Sequence, residues 1–173
     1  MRRRSFLAIV VLAVAVGSLA CGGGRGGPLE RGDPVPPFAL ETLEGPVLRF
    51  PEGLAGRGVI VRFWAAWCRS CEGEMKEIDP IAERLAASGV SFVAVNVGQD
   101  RPAVEAFARR LGIRFPMLLD EPAATAKAWG VKGLPTTFFV GPEGRVRRKL
   151  VGAAEAGAFE RFARELVVPG ERR

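Results

Sequence analysis

The stretch FWAAWCRSCEGE, residues 63–74, sets two cysteines two residues apart, behind a tryptophan and ahead of a carboxylate. Such spacing serves metal ligation, a static bridge or thiol–disulfide exchange. The chain contains no histidine, and its third cysteine, Cys21, lies far from the pair. A structural zinc takes four cysteine or histidine ligands, so no metal is expected at Cys68 and Cys71. The same lack removes any Cys–His nucleophile, imidazole base or haem-attaching CxxCH. A static bridge over so short a loop would constrain the unfolded chain little.

The flanking residues favour exchange. GVIVRFW, residues 58–64, is a β-branched run bounded by glycine and reads as a buried central strand. From about Cys68 the apolar positions Met75, Ile78, Ile81, Leu85 and Ala86 fall at helical spacing. Cys68 therefore lies where a strand ends and a helix begins. Unpartnered amides and the helix dipole stabilise a thiolate there and pull its pKa below the ordinary value. Cys71, one turn into the helix, faces Cys68 and is expected to be the more buried. In such a pair Cys68 attacks a substrate disulfide and Cys71 resolves the mixed disulfide.

Outward from this centre the pattern alternates. FALETLEGPVLRF, residues 38–50, reads as a hairpin around a Gly-Pro turn. Pro80 predicts a kink or restart in the first helix, which Gly89 ends. SFVAVNV, 91–97, is a second buried strand, and Asp100 caps a helix with Pro102 in its first turn. FPMLLD, 115–120, is a short strand, followed by a helix over 122–129. TTFFV, 136–140, and RVRRKLVG, 145–152, pair around the turn GPEG, and 156–167 closes as an amphipathic helix. Alternating helices and strands ending in a hairpin give a mixed sheet with helices on its faces.

FWAAWCRSC, KGLPTTFFV at 132–140 and GPEGRV at 141–146 together resemble the thioredoxin-like superfamily. More narrowly, they are similar to its TlpA/ResA-type branch of tethered extracytoplasmic thiol–disulfide oxidoreductases. The resemblance covers about residues 35–168. It implies an α/β fold, a thioredoxin-like three-layer α/β/α sandwich with a mixed central sheet, an N-terminal hairpin and an inserted helix–strand at 101–120. It implies that Pro135 is a cis-proline facing the disulfide and exposing the Leu134 backbone to substrate, against the plain reading of a strand-initiating proline. It implies that Trp67 shields the disulfide and touches substrate, where a core tryptophan is the alternative. It gives Glu74, which shares a helical face with Cys71, a part in proton transfer rather than the place of a solvated surface residue.

The implied activity is reduction of protein disulfides such as those of apocytochrome c. Electrons would come from a membrane thiol oxidoreductase, and the redox-active Cys68–Cys71 pair would stand in for any cofactor. A peroxiredoxin-type peroxidase and a non-catalytic thioredoxin-fold binding domain are the alternatives. The peroxidatic PxxxTxxC context is missing: Arg62, Phe63, Trp64 and Ala65 precede the pair.

The chain departs from the pattern where thioredoxin keeps a buried aspartate, six residues before the first cysteine. Here that residue is Arg62, which must either snorkel to an edge or pair with a carboxylate such as Glu74. Lys76 replaces a family proline, and the inner dipeptide Arg69-Ser70 lacks the proline many relatives carry. Arg69 adds positive charge beside Cys68.

The first residues, 1–20, read as a signal peptide or membrane anchor. A basic start precedes an apolar run, Phe6–Ala20, of 15 residues, shorter than the ~20 a spanning helix needs. Ala20-Cys21 followed by glycines resembles a lipoprotein signal with Cys21 as the lipidated residue, although Ser18 stands where leucine is preferred. An uncleaved anchor helix is the other reading, and Arg3-Arg4 with Phe6-Leu7 also resembles a twin-arginine signal. Either way the domain is expected outside the cytoplasm, bound to the membrane. Residues 21–36 are Gly/Pro-rich and read as an unpacked tether, with the folded domain over 37–169. The net charge of +6 owes half to Arg2, Arg3 and Arg4, and no basic–aromatic stripe points to nucleic acid. The basic run at 145–149 reads as an exposed strand rim.

Overall fold

The computed structural model describes residues 27–167. Phe38–Glu41 (β1) and Val47–Phe50 (β2) form an antiparallel hairpin that stays a separate two-stranded sheet. A short 3-10 turn, Glu52–Leu54, leads into the central strand Gly58–Trp64 (β3), buried along its whole length. Helix Arg69–Ala87 (α1), strand Val90–Val97 (β4), helix Arg101–Leu111 (α2) and strand Met117–Asp120 (β5) follow. Helix Ala124–Ala128 (α3), strands Thr136–Val140 (β6) and Val146–Val151 (β7) and helix Ala156–Ala163 (α4) complete the chain. The five-stranded sheet runs β5-β4-β3-β6-β7, with β3, β4 and β5 parallel and β6 and β7 antiparallel.

Strand alternation splits the core into two layers. Ile60, Trp64, Phe92, Ala94 and Phe139 face α1, α2 and α4. Val59, Val61, Phe63, Val93, Val95 and Phe138 face the hairpin and α3, with Trp129 tilted between Phe38, Phe50 and Phe63. The mixed sheet between two covering layers is the predicted sandwich. The inserted helix–strand is α2 and β5, which extends the sheet at one edge.

Two readings are corrected. First, α1 runs unbroken through Pro80, so the helix does not restart there. The exposed proline forfeits one backbone hydrogen bond, but buried Met75, Ile78, Ile81, Ala82 and Leu85 hold both halves of the helix on the sheet. Second, the segment assigned to an unpacked tether is packed from Leu29 onward. Leu29 is buried against the Trp129 layer. Gly32 N–H donates to Val146 O at 2.8 Å, Val146 N–H to Asp33 O at 3.0 Å and Val35 N–H to Gly144 O at 3.0 Å. These bonds pair the first residue of β7 and the turn before it, backbone groups that would otherwise stand open at the sheet edge. The Trp129 indole N–H donates to Pro36 O at 3.0 Å, and Lys149 Nζ to Leu29 O at 3.1 Å. The basic run at 145–149 is thus an edge strand, strapped by the segment before β1.

Candidate active site

Strands β3 and β4 are parallel neighbours with Trp64 opposite Asn96, so the loops leaving their carboxyl ends are adjacent. Strand β3 hands the chain to α1 through Ala65–Cys68. Cys68 is the N-cap of α1, with extended backbone, and its N–H bonds Ala65 O at 3.1 Å. Cys71 N–H returns to Cys68 O at 3.0 Å. The two cysteines are joined as a disulfide with Cα atoms 5.3 Å apart. Their burial is unequal: Cys68 is 7% exposed and Cys71 0%. Cys71 is closed to other molecules and is the more buried of the two, as its place one turn into the helix predicts. Ser70 Oγ lies 3.5 Å from Cys68 Sγ, close enough to bond a thiolate formed there.

Trp67, beside Cys68, is 69% exposed and is not a core residue. Pro135 follows a cis bond from Leu134. Leu134 is half-buried, Pro135 buried, and Pro135 O accepts from Gly152 N–H at 2.8 Å. Thr136 Oγ1 donates to Gly133 O at 2.7 Å, fixing the loop that precedes Leu134.

Arg62 does not snorkel. It is fully buried on the sheet face that carries α1. Its Nη2 donates to Glu74 Oε2 at 2.6 Å, its Nη1 to Thr137 Oγ1 at 3.0 Å, and its guanidinium stands 5.5 Å from the Phe159 ring centroid. Burial pulls its pKa down from the ordinary arginine value, and the charge and hydrogen bond of Glu74 oppose that. The other Glu74 oxygen, Oε1, accepts the Ala154 N–H at 2.5 Å. Both carboxylate oxygens are therefore engaged, and the pair ties β3, α1, β6 and the loop before α4 together. The Thr137 and Ala154 contacts escaped the sequence reading, since neither carries a local signal. Arg69, the first residue of α1 and so between the two cysteines, is exposed. Cys21 lies outside the described residues. Among the described residues no His/Cys/Asp/Glu cluster could hold a metal, and no helix is long and apolar enough to cross a membrane.

Fold and site together define a thioredoxin-fold protein whose chemistry is a dithiol/disulfide couple at a helix N-terminus. The model of the AhpC/TSA family matches residues 31–149. The thiol-disulfide oxidoreductase ResA of Geobacillus thermodenitrificans is 38% identical over 121 residues, covering 70% of this chain and 69% of the relative. ResA of Bacillus subtilis is 34% identical over 143 residues, covering 83% and 79%. A solved Chlorobium tepidum structure assigned as the thiol:disulfide interchange protein DsbE superposes with a TM-score of 0.74 at 29% identity, covering 80% of this chain and 98% of that one. The chain belongs to the AhpC/TSA family and, within it, to the ResA-type enzymes; it is a thiol–disulfide oxidoreductase.

Proposed function

We propose that this enzyme reduces protein disulfides outside the cytoplasm while tethered to the membrane by its N-terminal segment. The observation that carries the exchange mechanism is the asymmetry of the pair, Cys68 slightly exposed and Cys71 fully buried. In the reduced protein the Cys68 thiolate attacks one sulfur of a substrate disulfide. An S–S bond forms to the substrate, and the other substrate sulfur leaves as a thiolate. Cys71, losing its proton, attacks Cys68 Sγ and expels the second substrate sulfur. The substrate gains two electrons, one proton released by Cys71 and one taken from solvent, where Cys68 lost its own on ionising, and the protein is left as the Cys68–Cys71 disulfide that the structure contains. No separate cofactor takes part.

Exposed Trp67 and the Leu134 backbone beside Pro135 are the groups we assign to substrate contact. Glu74 influences the thiols by its charge one helical turn beyond Cys71, since both its oxygens already accept hydrogen bonds. Apocytochrome c is the substrate class, and a membrane thiol oxidoreductase the electron donor, that the kinship with ResA supports. The signal-like residues 1–20 and Cys21 support export and a lipid anchor.

A redox titration against glutathione, with insulin reduction followed in parallel, tests the reductive reading. A reversible Cys68–Cys71 couple that reduces insulin is expected. A bridge that no biological thiol opens would leave a static binding domain. Mass spectrometry of the membrane fraction tests the tether: diacylglyceryl-Cys21 as the first residue is expected, and an intact Met1 would mean an anchor helix instead.

A further inference from the structure

We propose that Gln99 is a positioning residue of the redox site, holding the turn that carries Trp67 and delivers Cys68 to the start of α1. Its side-chain carbonyl accepts the Ala66 N–H at 2.6 Å and Asn96 Nδ2 at 3.0 Å. Ala66 lies two residues before Cys68, and apart from this bond no protein group takes its N–H. The contact spans two neighbouring loops at the carboxyl ends of β3 and β4, the end of an α/β sheet at which sites are assembled.

Gln99 can serve as a fixed post because its own loop is anchored on several sides. Gly98 N–H bonds Asp120 O at 3.0 Å, tying the loop to β5. Asp100 caps α2 by accepting Ala103 N–H at 3.1 Å. Arg101 reaches the hairpin, donating to Leu43 O at 2.7 Å and to Glu41 Oε2 at 2.8 Å. Asn96 is buried on β4 and aims its amide at the same Gln99 oxygen. The Ala65–Trp67 turn, by contrast, is a short connection bearing a mostly exposed indole. A site held within about half an ångström by such supports outperforms one left to its own loop. The consequence is kinetic: with Ala66 unclamped, Cys68 samples positions displaced from the helix amides and from the incoming disulfide.

The test compares Gln99→Met, which removes the acceptor at similar volume, with Gln99→Glu, which keeps an acceptor oxygen. The half-buried site makes folding of both variants expected, and thermal melts check it. Stopped-flow reduction of oxidised glutathione by each reduced protein gives the exchange rate, and thiolate absorbance against pH gives the Cys68 titration. Acrylamide quenching reads Trp67, because Trp64 and Trp129 are 0% exposed. Gln99→Met should slow exchange about 5- to 30-fold, the range a lost hydrogen bond supports, raise the apparent thiol pKa and increase quenching. Gln99→Glu should recover most of the rate. Wild-type kinetics and titration in Gln99→Met would overturn the proposal. So would equal impairment of both variants in step with lost thermal stability, which is the mark of a merely structural residue. Inactive wild-type protein would instead sink the exchange chemistry itself, so the two failures are distinct.

Discussion

The Arg62 guanidinium meets the Glu74 carboxylate at 2.6 Å, joining the central strand to the redox helix inside the core. Arginine here is tolerable because Glu74 and Thr137 lie on the elements packed directly against it. Removing one partner of such a pair leaves an uncompensated buried charge, whereas replacing both with apolar groups is often neutral. Glu74→Gln should therefore cost about 3–5 kcal/mol in denaturant unfolding. The double variant Arg62→Leu/Glu74→Gln should recover most of that. A single variant within about 1 kcal/mol of wild type would show that the pair carries little of the fold's stability.

The unequal burial of the two sulfurs separates their roles. Cys68→Ala should abolish insulin reduction, because the remaining sulfur at position 71 is closed to large substrates. Cys71→Ala should accumulate mixed disulfides through Cys68, visible as substrate adducts on non-reducing gels. An active Cys68→Ala protein would refute the assignment of the attacking sulfur.

Glu72, in the first turn of α1, pairs with Arg110 at the end of α2. The hydrogen bond from Arg110 holds the Glu72 carboxyl below its ordinary value of 4.5. A depressed folded-state value means the contribution is present above the unfolded carboxylate pKa and lost as pH falls through the folded one. The melting-temperature gap between wild type and Arg110→Ala should thus be widest near neutral pH and narrow toward ~pH 3. High salt should shrink it too, since both side chains are exposed. A residual gap at low pH would measure the guanidinium's place 5.4 Å from the Phe107 ring centroid.

Gly130 ends α3 with a positive φ of 65°, and a Cβ there would stand 2.6 Å from Pro28 Cα. Gly130→Ala should cost about 1–3 kcal/mol, from backbone strain and from pushing the 28–36 strap off its seat. Limited proteolysis should then cut near residue 31 faster than in wild type. Unchanged stability and cleavage would mean that the strap contributes nothing to the domain.

The sequence by itself determined the redox centre and the order of elements. Those readings rest on local chemistry: a β-branched run, helical spacing after Cys68, a capping Asp100, and a cysteine pair with no histidine to compete. Interactions within a few residues follow from the order of the chain alone. Tertiary structure decided what joins distant segments. Arg62 meets Thr137 across 75 positions and Gln99 meets Ala66 across 33, and neither separation leaves a local trace. The Gly/Pro-rich composition of residues 28–36 carries no signal that this segment meets the start of β7. That strand's free edge exists only once the sheet has formed, and its unpaired backbone groups then hold a segment with little ordering tendency of its own. Pro80 follows the same logic: the helix continues through it because its buried face, not its backbone propensity, decides where it lies.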